Sequence, residues 1–238
     1  MRIIAFMAHP HYAAINCAGT IYHHTLRGDE VSLVTFTSGE LLTNELPEDE
    51  VATINIKELQ EAANVLGVKE VRNLGFKDSY ISDNNETRLA VNNVIREYKP
   101  DVVLTHWPKS THSDLEAASR STIQGCMSSL INAGKWAEKY PTHWVGNLYG
   151  YEVPELTLGF EPTTFVDISD CMDKKIEAAK CFKMHFERVQ GRNIEKWISA
   201  NCTGPSRYWG LKANVMYAEP FAQIKIHEVH LKPVYYLT

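Results

Sequence analysis

Short apolar runs alternate with helix-patterned stretches along most of this 238-residue chain, and that alternation restricts the fold more than any other feature. Ile3-Ile4-Ala5-Phe6-Met7-Ala8 is an apolar run of strand length, suited to burial on both faces. Ala18–Arg27 has helical spacing and stops at Gly28. Val31–Phe36 is a β-branched strand. Glu50–Leu66 is helical and ends at Gly67, and Val68–Leu74 is the next strand. Arg88–Tyr98 is a helix closed by Pro100, Asp101–Thr105 a buried strand, and Leu115–Ile131 a further helix. In the last third, Thr164–Ile168 reads as a strand, Asp170–Phe186 as one amphipathic helix, and Ile224–Val229 as a late strand.

Strand–helix alternation calls for parallel strands with helical crossovers. Right-handed crossovers then give an α/β fold: a Rossmann-like, doubly wound, mostly parallel sheet with helices on both faces. No internal repeat or linker divides the chain, so residues 1–238 are expected to form a single domain. Ligands of such sheets bind at the carboxyl ends of the strands. Three segments fall there: Ala8–Tyr12, Thr37–Glu40 and His106–Asp114. The first and last are rich in histidine.

Lys plus Arg is 24 and Asp plus Glu is 29, a net charge of −5. That balance argues against a nucleic-acid partner. No apolar run approaches the roughly 20 residues that span a bilayer. The opening Met1–His11 is too short an apolar segment for a signal peptide, so the expected location is cytoplasmic. Five scattered cysteines without CxxC spacing argue against a disulfide framework or a zinc finger. Phosphate loops and a GxSxG elbow are missing from the sequence, which argues against a nucleotide cofactor or a hydrolase serine.

Several motifs together resemble one family. Ala8-His9-Pro10, followed by Cys17-Ala18-Gly19-Thr20, is similar to the AHPDD…GGT opening of the PIG-L (LmbE-like) deacetylases. Thr37-Ser38-Gly39-Glu40 resembles its T-x-G-E. Glu58, Ala62 and Leu66-Gly67 match its E-x3-A-x3-LG helix, and Pro100–His106 its PDVV-x-TH strand. His112-Ser113-Asp114 matches part of its H-P-D-H loop. Phe165–Ile168 with Lys174-Lys175, and Tyr217-Ala218-Glu219-Pro220-Phe221, match its late motifs.

The resemblance implies hydrolysis of an N-acetyl group from an amino sugar, with zinc held by three protein ligands. It also implies an oligomer, commonly a hexamer, and a small amino-sugar or glycoconjugate substrate. Mapped by position, His9 keeps the first ligand place. Tyr12 and Leu115 stand where the other two ligands belong, and His11 where the general base belongs. Asn55 stands in place of an arginine. His112 keeps the place of the oxyanion-stabilising acid, and Asp114 that of the carboxylate that orients it.

The expected catalytic residues are therefore His11, His112 and Asp114. Glu40, Asn55, Trp107 and Tyr208 are expected to contact substrate. Three readings follow. The leading one is a metal-independent hydrolase with no cofactor. The second keeps zinc in a rearranged shell of His9, His11 and His112. The third is a non-catalytic relative that binds a sugar or a partner protein. The remaining histidines, His23, His24, His143, His185, His227 and His230, are expected to be ordinary, with the role of His106 left open.

Overall fold

The computed structural model describes residues 1–189 and 193–226. Seven strands form one sheet: β1 (Arg2–Met7), β2 (Glu30–Thr37), β3 (Glu70–Phe76), β4 (Val102–His106), β5 (Asn147–Tyr151), β6 (Thr164–Asp167) and β7 (Ala218–Gln223). Their order is β3-β2-β1-β4-β5-β7-β6. The first five are parallel, and β7 runs antiparallel to both β5 and β6. This is the mostly parallel, doubly wound sheet the alternation requires. β1 lies at the point where the strand order reverses, and five of its six residues are buried. The crevice beyond its carboxyl end is where such a sheet places a ligand.

The helices are α1 (Tyr12–Asn16), α2 (Ala18–Leu26), α3 (Glu48–Val65), α4 (Asn85–Tyr98), α5 (Ser113–Ser128), α6 (Met172–Ala179), α7 (Ile194–Ile198) and α8 (Gly204–Ala213). Asn84 caps α4, and Thr87 returns the bond to complete a capping box. Gly28 and Gly67 stand just beyond α2 and α3 with positive φ, the backbone that lets a helix end and turn into a strand.

Three local readings need correction. The segment 170–186 is not one helix. α6 stops at Ala179, a turn intervenes, and a wider π-type helix begins at Met184. The break turns Phe182 into the core, where it is 2 % exposed and packs against His11. β5 was not anticipated, because Asn147-Leu148-Tyr149-Gly150-Tyr151 has no β-branched residue. Its Gly150 is required where Trp107 crosses, since a Cβ there would sit 3.0 Å from the indole. The strand expected at Ile224–Val229 is not formed at residues 224–226, which follow β7 (Ala218–Gln223); the rest of that segment, with His227 and His230, lies outside the described residues.

α4 and α5 approach closely at Gly125, where an added Cβ would stand 2.4 Å from Val91 Cγ1. Overpacking of this kind costs about 1–3 kcal/mol. Gly125→Ala is expected to lower stability by that amount in urea unfolding, and Val91→Ala in the same chain to return part of it. An unchanged midpoint in the single variant would contradict this contact.

Candidate functional site at the strand ends

His9 follows β1 and is 6 % exposed. Its ring is locked by Thr37 at the end of β2. The Thr37 hydroxyl donates to the Ala8 carbonyl at 3.1 Å and accepts from Gly39 N–H at 3.1 Å. Its one proton is therefore committed, so at 2.8 Å the His9 Nδ1–H donates to Thr37 Oγ1. The other nitrogen, Nε2, then carries a lone pair. It faces Asp114 Oδ2 at 3.5 Å. Burial first, and then His112 and His185, lower the His9 pKa to about 3, so the ring is uncharged.

Asp114 lies in the first turn of α5 and is fully buried. Oδ2 accepts from Ser79 N–H at 2.8 Å, whereas Oδ1 is buried and has no hydrogen-bond partner among the described residues. Burial raises its pKa above the usual carboxylate range. The link to His112 runs through the backbone: Asp114 N–H donates to His112 Nδ1 at 3.2 Å. His112 is thereby the N-cap of α5. With Nδ1 accepting, the proton of the neutral ring sits on Nε2. The His112 ring stands edge-on to His9, with centroids 5.3 Å apart.

Asp78, in the loop after β3, is a site residue the sequence reading missed. Its Oδ1 is 3.6 Å from His9 Nδ1, and its Oδ2 accepts from Leu41 N–H at 3.1 Å. The rule that pointed to the ends of β1, β2 and β4 applied equally to the end of β3. Glu40 serves this loop: its Oε1 accepts from Asp78 N–H at 2.9 Å. Asn55 is likewise spent on backbone, donating to the Ser38 and Gly39 carbonyls.

One cavity of about 320 Å³ is lined by His9, His11, Tyr12, Asn55, Glu58, Asp78, His112 and His185 among others, with Asp114 and Glu40 behind its wall. His11 is the N-cap of α1 and already has helical rather than extended backbone. That turn brings His9 and His11 to the same cavity, although an extended segment would aim them apart. His11 stacks on His185 at 4.2 Å and lies 4.1 Å from the Tyr12 ring. Burial holds its pKa well below the ordinary value. His185 was expected to be ordinary, yet it forms one wall of the cavity. Burial also pushes Glu58 up to about 7, and it accepts from Met184 N–H at 2.9 Å.

Tyr12 and Leu115 are both buried, at 9 % and 1 % exposure. Burial, with Asp78 and Asp114 nearby, raises the tyrosine pKa, so its hydroxyl keeps its proton. Trp107 and Tyr208 are not brought to this cavity. Trp107 packs edge-on against Phe160, and Tyr208 is 52 % exposed beside Trp209. His106 is structural: its Nε2 accepts from Ala8 N–H at 2.9 Å.

The donor set can be tested against a divalent ion. His9, Asp78 and Asp114 each bring a ligand atom within 4.8 Å of the others. Two donors each about 2.1 Å from a tetrahedral zinc stand about 3.4 Å apart. The 3.5 Å between His9 Nε2 and Asp114 Oδ2 matches that spacing. A lone pair and a carboxylate oxygen facing each other call for a proton or a cation between them, and Asp114 Oδ1 has no hydrogen-bond partner among the described residues. His9 Nε2 and Asp114 Oδ2 fit two positions of such an ion, and Asp78, which approaches the other ring nitrogen at 3.6 Å, lies close enough to offer a third.

Fold and site together define a class: a doubly wound α/β protein with imidazoles and carboxylates gathered at its strand ends. The chain belongs to the GlcNAc-PI de-N-acetylase (PIG-L) family, whose pattern its residues 4–126 match. It is 29 % identical to the diacetylchitobiose deacetylase of Thermococcus kodakarensis, over 98 % of this chain and 86 % of that protein. Among solved structures it resembles a conserved protein of Thermus thermophilus, with 27 % identity and a TM-score of 0.81 over 99 % of this chain and 96 % of that one. It also shares its fold with an N,N'-diacetylchitobiose deacetylase from Pyrococcus horikoshii, at 23 % identity and a TM-score of 0.83, covering 98 % and 86 % of the two chains. The Thermococcus kodakarensis relative is named as a deacetylase, and one from Bacillus anthracis, 24 % identical over 78 % of this chain, as a probable deacetylase, a class of hydrolase. Among the described residues no helix is long and apolar enough to cross a membrane.

Proposed function

We propose that this chain is an amide hydrolase of the N-deacetylase type, acting on an N-acetylated amino sugar or a conjugate of one through an altered centre. The observation that carries this reading is the single cavity shared by His9, His11, Asp78 and His112 at the carboxyl ends of β1, β3 and β4. Family membership supports the reaction class.

In the reaction, water attacks the amide carbon, the carbonyl oxygen gains charge, and the carbon–nitrogen bond then breaks. His112 keeps its Nε2 proton for that oxygen, because Asp114 N–H occupies Nδ1. Tyr12, which lines the same cavity, keeps its hydroxyl proton. His11 stands at the general-base position; burial keeps its ring uncharged and weakens it as a base, so taking the water's proton and returning it to the leaving amine relies on the negative charge that develops on the neighbouring carbonyl oxygen. Asp78 and Asp114 are fixed by backbone donors, so their carboxylates are placed before substrate arrives.

The geometry favours retention of an ion over the metal-independent reading, with a ligand set different from the expected trio of histidines. His9, Asp114 and Asp78 would hold it. A bound divalent ion lowers the pKa of its water and polarises a carbonyl.

Incubation of untagged protein with N-acetylglucosamine and diacetylchitobiose tests the activity. Release of acetate and free amine is expected, falling in chelator and returning with zinc. Full activity after complete metal removal would overturn the ion assignment alone. No amine from either sugar, and no rise in melting temperature with them, would overturn the hydrolase reading.

A further inference from the structure

A second cluster of donors lies away from the strand-end cavity. His23 projects from α2, while Asp170 and Cys171 form the turn between β6 and α6. His23 Nε2 is 2.8 Å from Asp170 Oδ1 and 3.2 Å from Cys171 Sγ. The three donor atoms lie within 4.8 Å of one another. The cysteine is free and 3 % exposed, whereas the side chains of His23 and Asp170 are 31 % and 77 % exposed. The cluster thus has a buried floor and an open mouth.

A single imidazole nitrogen stands between a carboxylate and a sulfur. Its one hydrogen can be aimed well at only one of them, and a lone pair there would meet the carboxylate at 2.8 Å. The thiol also reaches the Ile168 and Gly19 carbonyls at 3.7 and 3.8 Å. A cation held by imidazole, carboxylate and sulfur would take the place of the His23–Asp170 hydrogen bond, with the exposed Asp170 opening from 2.8 Å toward the roughly 3.4 Å that two ligands of a tetrahedral ion need. Such an ion replaces the thiol hydrogen, so one proton is released for each ion taken up. We propose that His23, Asp170 and Cys171 form a binding site for a borderline divalent ion of the zinc type, with solvent in the remaining position. One thiolate, one imidazole and one carboxylate suit zinc or cobalt and disfavour magnesium or calcium.

The site's role follows from where its ligands sit. α2 carries one and the turn leading into α6 carries two, 147 residues away in sequence. The same helices are joined deeper in the core, where Lys175 of α6 meets Glu219, which also accepts from the N-terminus of α2. A bound ion clips the outer ends of this joint.

Cobalt(II) distinguishes this site from the strand-end group, because only this one contains sulfur. Added to untagged, metal-stripped protein, cobalt is expected to produce a thiolate-to-cobalt charge-transfer band and to raise the melting temperature. Cys171→Ser is expected to abolish the band. His23→Ala should weaken cobalt binding by more than the roughly 10–100-fold that loss of an outer partner costs. Asp170→Asn, at an exposed position that threatens folding least, should weaken it as well. His9→Ala should leave the band intact. No charge-transfer band at saturating cobalt would overturn the proposal, as would a band that survives in folded Cys171→Ser protein.

Discussion

Replacing Glu219 by alanine is expected to cost about 3–5 kcal/mol, the usual consequence of breaking a buried ion pair from one side. For a chain of this size that lowers the melting temperature by about 6–20 °C. Glu219 is 1 % exposed and Lys175 is 4 % exposed, with Nζ 2.7 Å from Oε1. The carboxylate accepts three further bonds: Gly19 N–H at 3.0 Å, Thr20 N–H at 2.8 Å and the Thr20 hydroxyl at 2.7 Å. The first two are unpaired donors in the opening turn of α2, where a negative charge is favoured. Without the carboxylate, all of these donors and a buried ammonium lose their partner. Glu219→Gln should recover little, since its amide nitrogen turns a donor toward donors. Adding Lys175→Met to Glu219→Gln removes the stranded charge and should restore part of the loss. Urea unfolding measures each variant. A loss below about 1 kcal/mol in Glu219→Ala would show that the pair is not a mainstay of the fold.

The same network shows what a sequence motif conceals. Tyr217-Ala218-Glu219-Pro220-Phe221 was recognisable as a family segment, but its reason lies 200 residues away at Gly19. Where one local rule decided the outcome, the sequence was legible. Apolar runs became the central strands, and Gly28, Gly67 and Pro100 marked where helices end. Where a tertiary contact decided, it was not. β5 carries no β-branched residue, and its Gly150 is set by the passage of Trp107 rather than by strand propensity. The helix after Cys171 breaks so that Phe182 and His185 can pack on His11, far earlier in the chain. Asp78 could have been found, because a strand end was already in hand. The positions of Tyr12 and Leu115 suggested a site emptied of ligands. The carboxylates of Asp78 and Asp114 become visible as a set with His9 only once three separate loops are brought together. Glu40 and Asn55 were expected to contact substrate, and in the structure their polar atoms hold the loops around Asp78 and Gly39.

His112→Ala is expected to reduce amide hydrolysis by about 10²–10³-fold, the usual effect of removing one donor to a developing oxyanion. Alanine would also remove the cap of α5, at a cost of about 0.5–2 kcal/mol. The two effects must be separated. His112→Asn does this, because asparagine is among the best N-cap residues and can accept from Asp114 N–H through its side-chain oxygen. Its amide group is shorter than an imidazole and cannot reproduce the Nε2–H that the ring presents. Stability is therefore expected to return in His112→Asn while turnover stays low. The loss should fall on kcat more than on KM, since the donor matters most when the carbonyl oxygen is charged. Turnover within about threefold of the unmodified protein in His112→Asn would remove His112 from the chemistry and leave it as the cap of α5. A parallel loss of stability and activity in both variants would point the same way, because it would trace the activity loss to the helix terminus and the Asp114 it carries.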